Sequence, residues 1–223
     1  MNRYVIGLAP TVLVAIGLHV AHRVTLTFTL FFIWLAIVPL IDHLVIQKQS
    51  LSRVVGVWGL TGTIQQALIG LGLGIFFTLA ILIGAYYMHD MLFDIEHLRS
   101  WLEQWHFTGN QSVLLFVVLV LLNPILEEIY WRAYLPSRTG QTPGSFRNLL
   151  LASLWFTAYH LVVIIPIFNW PFNVLAALSI YAAGLLWGWI RDRSHSLLAP
   201  ILSHMLADLG IVIIYMLYIQ SPN

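Results

Sequence analysis

The stretch LLNPILEEIYWRAYLP, residues 121–136, places two glutamates and an arginine in one of the most apolar parts of the chain. Inside a bilayer such groups are costly, turn toward a bundle interior or a watery cavity, and are by default candidates for function. Glu128 and Arg132 are spaced i and i+4, with the acid nearer the N-terminus, which favours an ion pair along a helix. Glu127 lies about 100° around the helix, so we predict that it faces a cavity. The alternative is a helix end at the membrane interface whose charges meet water.

The composition of the chain indicates an integral membrane protein. Of its 223 residues, 60% are hydrophobic and only 9% are charged, far from the usage of soluble domains. The apolar runs are long enough to cross a bilayer as helices and lack the alternating pattern of outer-membrane strands. We therefore predict an all-α fold, a polytopic membrane helical bundle. The absence of cysteine excludes a thiol nucleophile, and the basic residues form no patch, so we expect no nucleic-acid partner.

About seven apolar runs have the length of a transmembrane helix. They cover approximately residues 4–20, 24–46, 67–88, 112–135, 148–165, 172–190 and 197–219. Residues 89–110 mix acidic and apolar side chains at helical spacing, which predicts one amphipathic helix lying at the interface. Pro124, inside the fourth run, predicts a local kink just before Glu127. Close helix contact is predicted at three glycines of the third run, which are Gly70, Gly72 and Gly74.

The distribution of basic residues orients these helices. With seven spans, eight of the ten basic residues fall on the side that contains the N-terminus, and Arg23 and Arg99 fall on the other. The eight are Arg3, Lys48, Arg53, Arg132, Arg138, Arg147, Arg191 and Arg193. Because loops rich in basic residues stay on the cytoplasmic side, we predict a cytoplasmic N-terminus.

Two further predicted helices carry ionisable residues at a depth similar to that of Glu127. His160 lies on the fifth run, and the seventh holds His204 and Asp208 at i and i+4, hence on one face. Without partners each of these groups would carry a desolvation penalty, so their conjunction indicates a shared site. A carboxylate in a poorly solvated cavity suits a general base, an imidazole can hold a water, and two converging polar groups can stabilise an oxyanion. These groups together suit the hydrolysis of an amide.

Three motifs follow one another on separate predicted helices: EExxxR starting at Glu127, FxxxH ending at His160 and HxxxD starting at His204. In this order they resemble the CAAX-protease and bacteriocin-processing (CPBP, Abi) family of intramembrane glutamic endopeptidases. The resemblance runs from about residue 112 to the C-terminus, and the first three spans carry none of it. We accordingly divide one membrane domain into N-terminal transmembrane helices with the interfacial helix, at 1–110, and a CPBP/Abi-like catalytic core, at 111–223.

The resemblance implies a role for each motif residue. Glu127 would activate the water, His160 would help to hold it, and His204 with Asp208 would form the oxyanion site. The residues that would support and orient this site are Glu128 and Arg132. Asp208 departs from the family pattern, in which an asparagine often supplies an amide donor at this position. An aspartate can donate a hydrogen bond there only when it is protonated. No metal and no other cofactor is implied.

The resemblance also implies a kind of substrate. Eukaryotic members remove the last three residues of prenylated CAAX proteins, whereas bacterial members act on other substrates. We expect a hydrolase that cleaves a membrane-anchored or lipidated peptide or protein entering from the cytoplasmic side. Its bilayer would be the plasma membrane of a bacterium or an archaeon.

Two other functions fit the same residues. Glu127, His160, His204 and Asp208 are also potential ligands of a metal in a membrane protease, although the usual helical signature HExxH is absent from the sequence. A non-catalytic alternative is a transporter or an immunity-type binding protein whose buried acids relay protons or hold a partner. Among the predicted spans we find no inverted repeat of the kind common in transporters.

Overall fold

Nine helices follow one another in the computed structural model, which describes residues 3–107, 110–138 and 145–220. They are α1 (Tyr4–Val20), α2 (Val24–Ile46), α3 (Leu51–Trp58), α4 (Ile64–Leu92), α5 (Ile95–Gln104), α6 (Val113–Arg138), α7 (Phe146–Ile167), α8 (Phe172–Ser194) and α9 (Leu198–Gln220). Six of them, all except α1, α3 and α5, are long and apolar enough to cross a membrane. The described ranges contain no strand. The predicted polytopic helical bundle is therefore confirmed, and the chain is an integral membrane protein.

The N-terminal part of the bundle differs from the predicted spans in two helices, α1 and α3. The first run forms α1, which is shorter than the six spanning helices. The short helix α3 is not anticipated by the apolar runs. It begins where the side chain of Ser50 accepts a hydrogen bond from the backbone N–H of Arg53, and it ends at Gly59. Gly59 has a φ of 69°, a left-handed conformation that glycine adopts without strain.

The amphipathic segment predicted at 89–110 is divided between two helices. The long helix α4 continues to its end at Leu92, and α5 starts after Asp94, whose side chain accepts a hydrogen bond of 3.0 Å from the backbone N–H of His97. On α5, Leu98 is buried, and Arg99 donates from Nε to the backbone oxygen of Ile219 at 3.0 Å. The helix α5 therefore packs against the end of α9.

Glycine allows α4 to approach α9 closely. A Cβ atom added at Gly70 would lie 2.7 Å from the backbone oxygen of Ala199, and one added at Gly74 would lie 2.6 Å from Cδ1 of Leu206. A Cβ atom at Gly72 would meet nothing within 4 Å among the described residues. Two of the three predicted glycines thus form the contact, and the third faces away from it. This contact matters for function because α9 carries His204 and Asp208.

Two wide turns interrupt the helix α6 on either side of the acids. The backbone is π-helical at Val118–Leu122 and again at Ile129–Tyr134, with regular α-helix at Asn123–Glu128 between them. Pro124 has no N–H to donate and follows directly after the first wide turn. The disturbance predicted at Pro124 therefore takes the form of a π-helical turn, a feature that is frequent at functional sites.

Buried polar contacts tie α2 to α6. The carboxylate of Asp42 pairs with Arg138 and accepts a hydrogen bond of 2.9 Å from the hydroxyl of Tyr134. One turn earlier, Trp34 donates from Nε1 to the hydroxyl of Tyr130 at 2.7 Å. Both tyrosines are fully buried, so α6 lies in the interior of the bundle. The N-terminal helices are thereby connected to α6, the helix that carries Glu127 and Glu128.

Candidate active site

Glu127 lies on α6 with its carboxylate almost fully buried, at 1% exposure. The hydroxyl of Tyr159 on α7 donates to Oε1 at 2.5 Å. The other oxygen, Oε2, lies 3.8 Å from Nε2 of His204 on α9 and has no hydrogen-bond partner among the described residues. The carboxylate is thus held by one oxygen and points into the helix bundle with the other, as the sequence analysis expects of a residue facing a buried site.

Glu128 is fully buried and contacts two basic groups. Nε of Arg132 lies 3.3 Å from Oε2, in the predicted i, i+4 pair, and Nδ1 of His204 lies 2.9 Å from Oε1. The guanidinium of Arg132 also lies 4.2 Å above the ring of Phe156 and 5.4 Å from the ring of Trp187. The charge of Glu128 is therefore neutralised by two groups, which are Arg132 on the same helix and His204 on α9.

His204 is fixed in orientation by its surroundings. Its Nδ1 donates to Glu128, because a carboxylate oxygen accepts there, and its ring stacks on Trp187 with 4.4 Å between centroids and an angle of 19°. The opposite nitrogen, Nε2, lies 3.8 Å from Oε2 of Glu127 and 3.6 Å from Oδ1 of Asp208. Trp187 is a site residue that the sequence analysis misses, since a tryptophan in an apolar helix carries no distinguishing spacing.

Asp208 lies beside His204 and is the more open of the two, with its side chain 17% exposed. Its Oδ2 accepts a hydrogen bond of 3.2 Å from the side-chain amide of Asn123 on α6. Asn123 stands one turn before Glu127, so the sequence predicts that the two residues share a helix face. The sequence does not predict the contact of Asn123 with Asp208. Asn123 therefore places a side-chain amide directly beside Asp208.

His160 reaches Glu127 through another side chain. Its Nδ1 donates to the backbone oxygen of Phe156 at 2.8 Å, and its Nε2 lies 3.0 Å from the hydroxyl of Tyr159. That same hydroxyl donates to Glu127. Glu127 and His160 are predicted to share one site, and the structure brings them together through the hydroxyl of Tyr159, which lies between them. Tyr159 escaped notice because a tyrosine in an apolar helix is usually a core residue.

The charges of the cluster do not balance when all acids are ionised. The ionisable members are Glu127, Glu128, Asp208, His160, His204 and Arg132. Three carboxylates against one guanidinium leave two negative charges without compensation in a largely buried site. Such charges are costly in a poorly solvated interior, so the cluster holds protons on its imidazoles or its acids.

Within residues 3–107, 110–138 and 145–220, no group of three His, Asp or Glu side chains is arranged to hold a metal ion. The geometry gives a reason, since Nδ1 of His204 is used on Glu128 and Nδ1 of His160 on a backbone carbonyl. The remaining nitrogen of His160 faces a tyrosine hydroxyl and not a common centre with His204.

Comparison with known proteins gives one similarity, which covers the part of the chain that carries this arrangement. Residues 109–210 match the family model described as type II CAAX prenyl endopeptidase Rce1-like. The matched segment contains all three motifs, from Glu127 to Asp208. Neither the curated proteins nor the solved structures yielded a match to the chain. The match agrees with the resemblance predicted from the motifs: residues 109–210, somewhat less than half of the chain, are similar to the Rce1-like type II CAAX prenyl endopeptidase family.

Proposed function

We propose that this chain is a glutamate-dependent intramembrane endopeptidase, which hydrolyses a peptide bond of a membrane-associated substrate. One observation carries the proposal: Oε2 of Glu127 and Nε2 of His204 lie 3.8 Å apart in a buried polar cluster, although they come from different helices. A general base and an oxyanion donor have to face one reacting group in this way. The family match supports endopeptidase chemistry.

Glu127 acts as the general base in this scheme. Its Oε1 is held by Tyr159, so Oε2 takes a proton from a water whose oxygen attacks the carbonyl carbon of the scissile bond. The electron pair of the carbonyl moves onto its oxygen. When the tetrahedral intermediate collapses, the carbon–nitrogen bond breaks and the proton on Glu127 passes to the leaving nitrogen. The role of His160 becomes indirect, because its Nε2 meets Tyr159.

His204 with Asp208 stabilises the oxyanion. Because Nδ1 of His204 is engaged by Glu128, Nε2 is the atom that donates to the developing negative charge. Asp208 lies beside Nε2 and accepts from Asn123, which supports a carboxylate that compensates for the charge of the imidazole. In its protonated form, Asp208 would instead be a second donor to the oxyanion.

The substrate in this proposal is a membrane-anchored or lipidated peptide. The model of the matched family is described as that of a prenyl endopeptidase, and a prenyl group is a lipid anchor. The side chain of Asp208 is 17% exposed, against 4% for His204 and 1% for Glu127, so the cluster is more open at Asp208 than at these two neighbours. A lipid anchor would hold a peptide at the depth of this opening, and we propose that the peptide enters there.

We further propose that the N-terminus lies in the cytoplasm and that the bilayer is the plasma membrane of a bacterium or an archaeon. The bias of eight basic residues against two supports this orientation. Residues 111–223 would form the catalytic core, and residues 1–110 would support it. The contact of Asp42 with Arg138 is one link between these two parts.

Proteomics of membrane fractions tests the function even while the substrate is unidentified. Cells that produce the wild type, Glu127→Ala or Glu103→Ala are compared for new chain termini, where Glu103 is an exposed acid on α5 that serves as the matched control. We expect termini that occur with the wild type and the control and are absent with Glu127→Ala. The same termini in cells that contain Glu127→Ala at wild-type abundance would refute the proposal.

A further inference from the structure

The hydroxyl of Tyr159 connects two residues that the mechanism treats separately. It lies 2.5 Å from Oε1 of Glu127 and 3.0 Å from Nε2 of His160. On the far side of the same imidazole, Nδ1 lies 2.8 Å from the backbone oxygen of Phe156. These four groups, from α6 and α7, form one chain of hydrogen bonds.

The number of protons in this chain follows from what each atom can donate. A backbone carbonyl only accepts, so Nδ1 of His160 carries a hydrogen, and Nε2 carries another only when the ring is cationic. The hydroxyl of Tyr159 has one hydrogen to donate. If it points to Glu127, the contact with Nε2 is a hydrogen bond only when His160 is cationic. If it points to His160, Glu127 has to carry the hydrogen that meets the tyrosine oxygen.

We propose that Glu127 and His160 share one proton through the hydroxyl of Tyr159, which makes Tyr159 a positioning residue of the site. In one arrangement Glu127 is a carboxylate and His160 an imidazolium, and in the other both are neutral. The two arrangements differ by two short proton shifts, one on each side of the tyrosine oxygen. Loss of the shared proton leaves two lone pairs facing each other, and gain of a second proton leaves the tyrosine hydrogen without an acceptor in the chain.

Packing around Tyr159 holds the tyrosine in place and buries its contact with Glu127. Trp131 on α6 stacks against the ring with an angle of 9° and 6.0 Å between centroids, and the ring of Phe31 on α2 lies at 4.9 Å. Tyr159 is 7% exposed and Glu127 is 1% exposed. In such an interior a fully satisfied chain of hydrogen bonds is strong, and an unsatisfied member is costly.

Other charged groups act on the two ends of the chain from α6 and α9. Glu127 interacts electrostatically with His204, Asp208 and Arg132, and His160 interacts electrostatically with His204 and Arg132. The contact from α2 is an apolar ring. The charges on α6 and α9 bias the position of the shared proton toward one end, while the tyrosine hydroxyl provides the connection between the ends.

The consequence for catalysis rests on the proposed function. With the shared proton on His160, Oε1 of Glu127 accepts from Tyr159, and Oε2 is left to take a proton from water. As that O–H bond breaks, the water oxygen forms its bond to the carbonyl carbon, and the proton on Oε2 later goes to the leaving nitrogen. Tyr159 thereby divides the base into one oxygen that is held and one that reacts.

Nuclear magnetic resonance of the full-length protein in detergent micelles tests the shared proton without a substrate. The carboxyl carbon of Glu127 and Nε2 of His160 are labelled, assigned with Glu127→Gln and His160→Asn, and followed as pH is changed. We expect both signals to change with the same midpoints in the wild type, because strongly coupled sites titrate as a pair. We expect the midpoints to separate by about one pH unit or more in Tyr159→Phe.

Tyr130→Phe is the matched control. Tyr130 is a buried tyrosine on α6 whose two hydrogen bonds, to Ile6 and from Trp34, involve neither Glu127 nor His160, so the midpoints should stay coincident. Different midpoints in the wild type would overturn the proposal, and this measurement does not depend on the folding of Tyr159→Phe. Coincident midpoints retained in Tyr159→Phe would overturn it as well. Since the readout is independent of cleavage, either result leaves the peptidase function to its own test.

Discussion

Nδ1 of His204 lies 2.9 Å from Oε1 of Glu128, and both side chains are buried. This contact fixes one ring nitrogen as a donor and turns the other toward Glu127 and Asp208. The two neighbouring acids of the EExxxR motif therefore have different surroundings: in the proposed mechanism the first faces the reacting water, and the second orients an imidazole from another helix. Arg132 completes the arrangement through its contact of 3.3 Å with Glu128.

Replacing Glu128 by Gln should destabilise the protein and lower its activity. Gln keeps the shape and one acceptor, but it removes a negative charge buried between Arg132 and His204. A buried charge that loses its partner costs about 3–5 kcal/mol, and we expect a loss of that order in the free energy of unfolding. Denaturant titration in mixed micelles measures it, with Glu103→Gln as the exposed control. Equal stability of the two variants would count against this role of Glu128.

Substitutions of Asp208 distinguish two possible roles of this residue in the proposed oxyanion site. As a carboxylate it compensates for the charge of His204, and Asp208→Asn should then lower kcat/KM about a hundredfold at every pH. As a protonated donor it would be replaced well by an amide, and the variant would stay active and lose the alkaline limb of its pH profile. We expect the first outcome, because Asn123 donates to Oδ2. Rates of Asp208→Asn and Asp208→Ala on one peptide, measured across pH, decide between them.

The contact between α4 and α9 can be tested with two glycines that are one half-turn apart. Gly70→Ala places a methyl group 2.7 Å from a backbone oxygen of α9 and should destabilise the protein by about 1–3 kcal/mol. Gly72→Ala meets nothing within 4 Å among the described residues and should be neutral or stabilising by up to about 1 kcal/mol. Unfolding of both variants in micelles provides the comparison. Similar effects at the two positions would show that this close approach is absent.

Chelators should leave peptidase activity unchanged. The proposed mechanism activates water with Glu127, and the described part of the chain offers no set of three metal ligands. Purified protein treated with EDTA and 1,10-phenanthroline should keep its rate and carry no stoichiometric metal by elemental analysis. One tightly held metal per chain, with loss of activity on its removal, would favour the metal-dependent alternative.

The spans and the acids were predictable because both depend on large differences in solvation. A run of about twenty apolar residues is stable in a bilayer, and an ionised group inside such a run needs a polar neighbour. The shared depth of Glu127, His204 and Asp208 in the sequence therefore corresponds to a real meeting of their side chains. The family was predictable for the same reason, since its motifs consist of these residues.

The side chains that hold the site were not predictable, because residues of their kind are common in apolar helices. Trp187 and Tyr159 have the spacing of ordinary core aromatics, and only the packing of α7 and α8 brings them to the imidazoles. Whether Gly72 lies on the face of α4 that meets α9 likewise depends on how these two helices cross. The spacing of residues in the sequence shows which of them share one face of a helix, whereas these contacts depend on the packing angles between several helices.

The central claim, that Glu127 is the base of an intramembrane peptidase, is tested most directly by kcat. Wild type, Glu127→Gln and Glu103→Gln are purified in micelles and assayed on a peptide identified by the membrane proteomics, with thermal unfolding recorded for each. Removal of a general base lowers turnover by about a hundred- to ten-thousandfold. The account predicts a loss in that range for a folded Glu127→Gln and wild-type turnover for Glu103→Gln. A folded Glu127→Gln protein that turns over its peptide at the wild-type rate would contradict it.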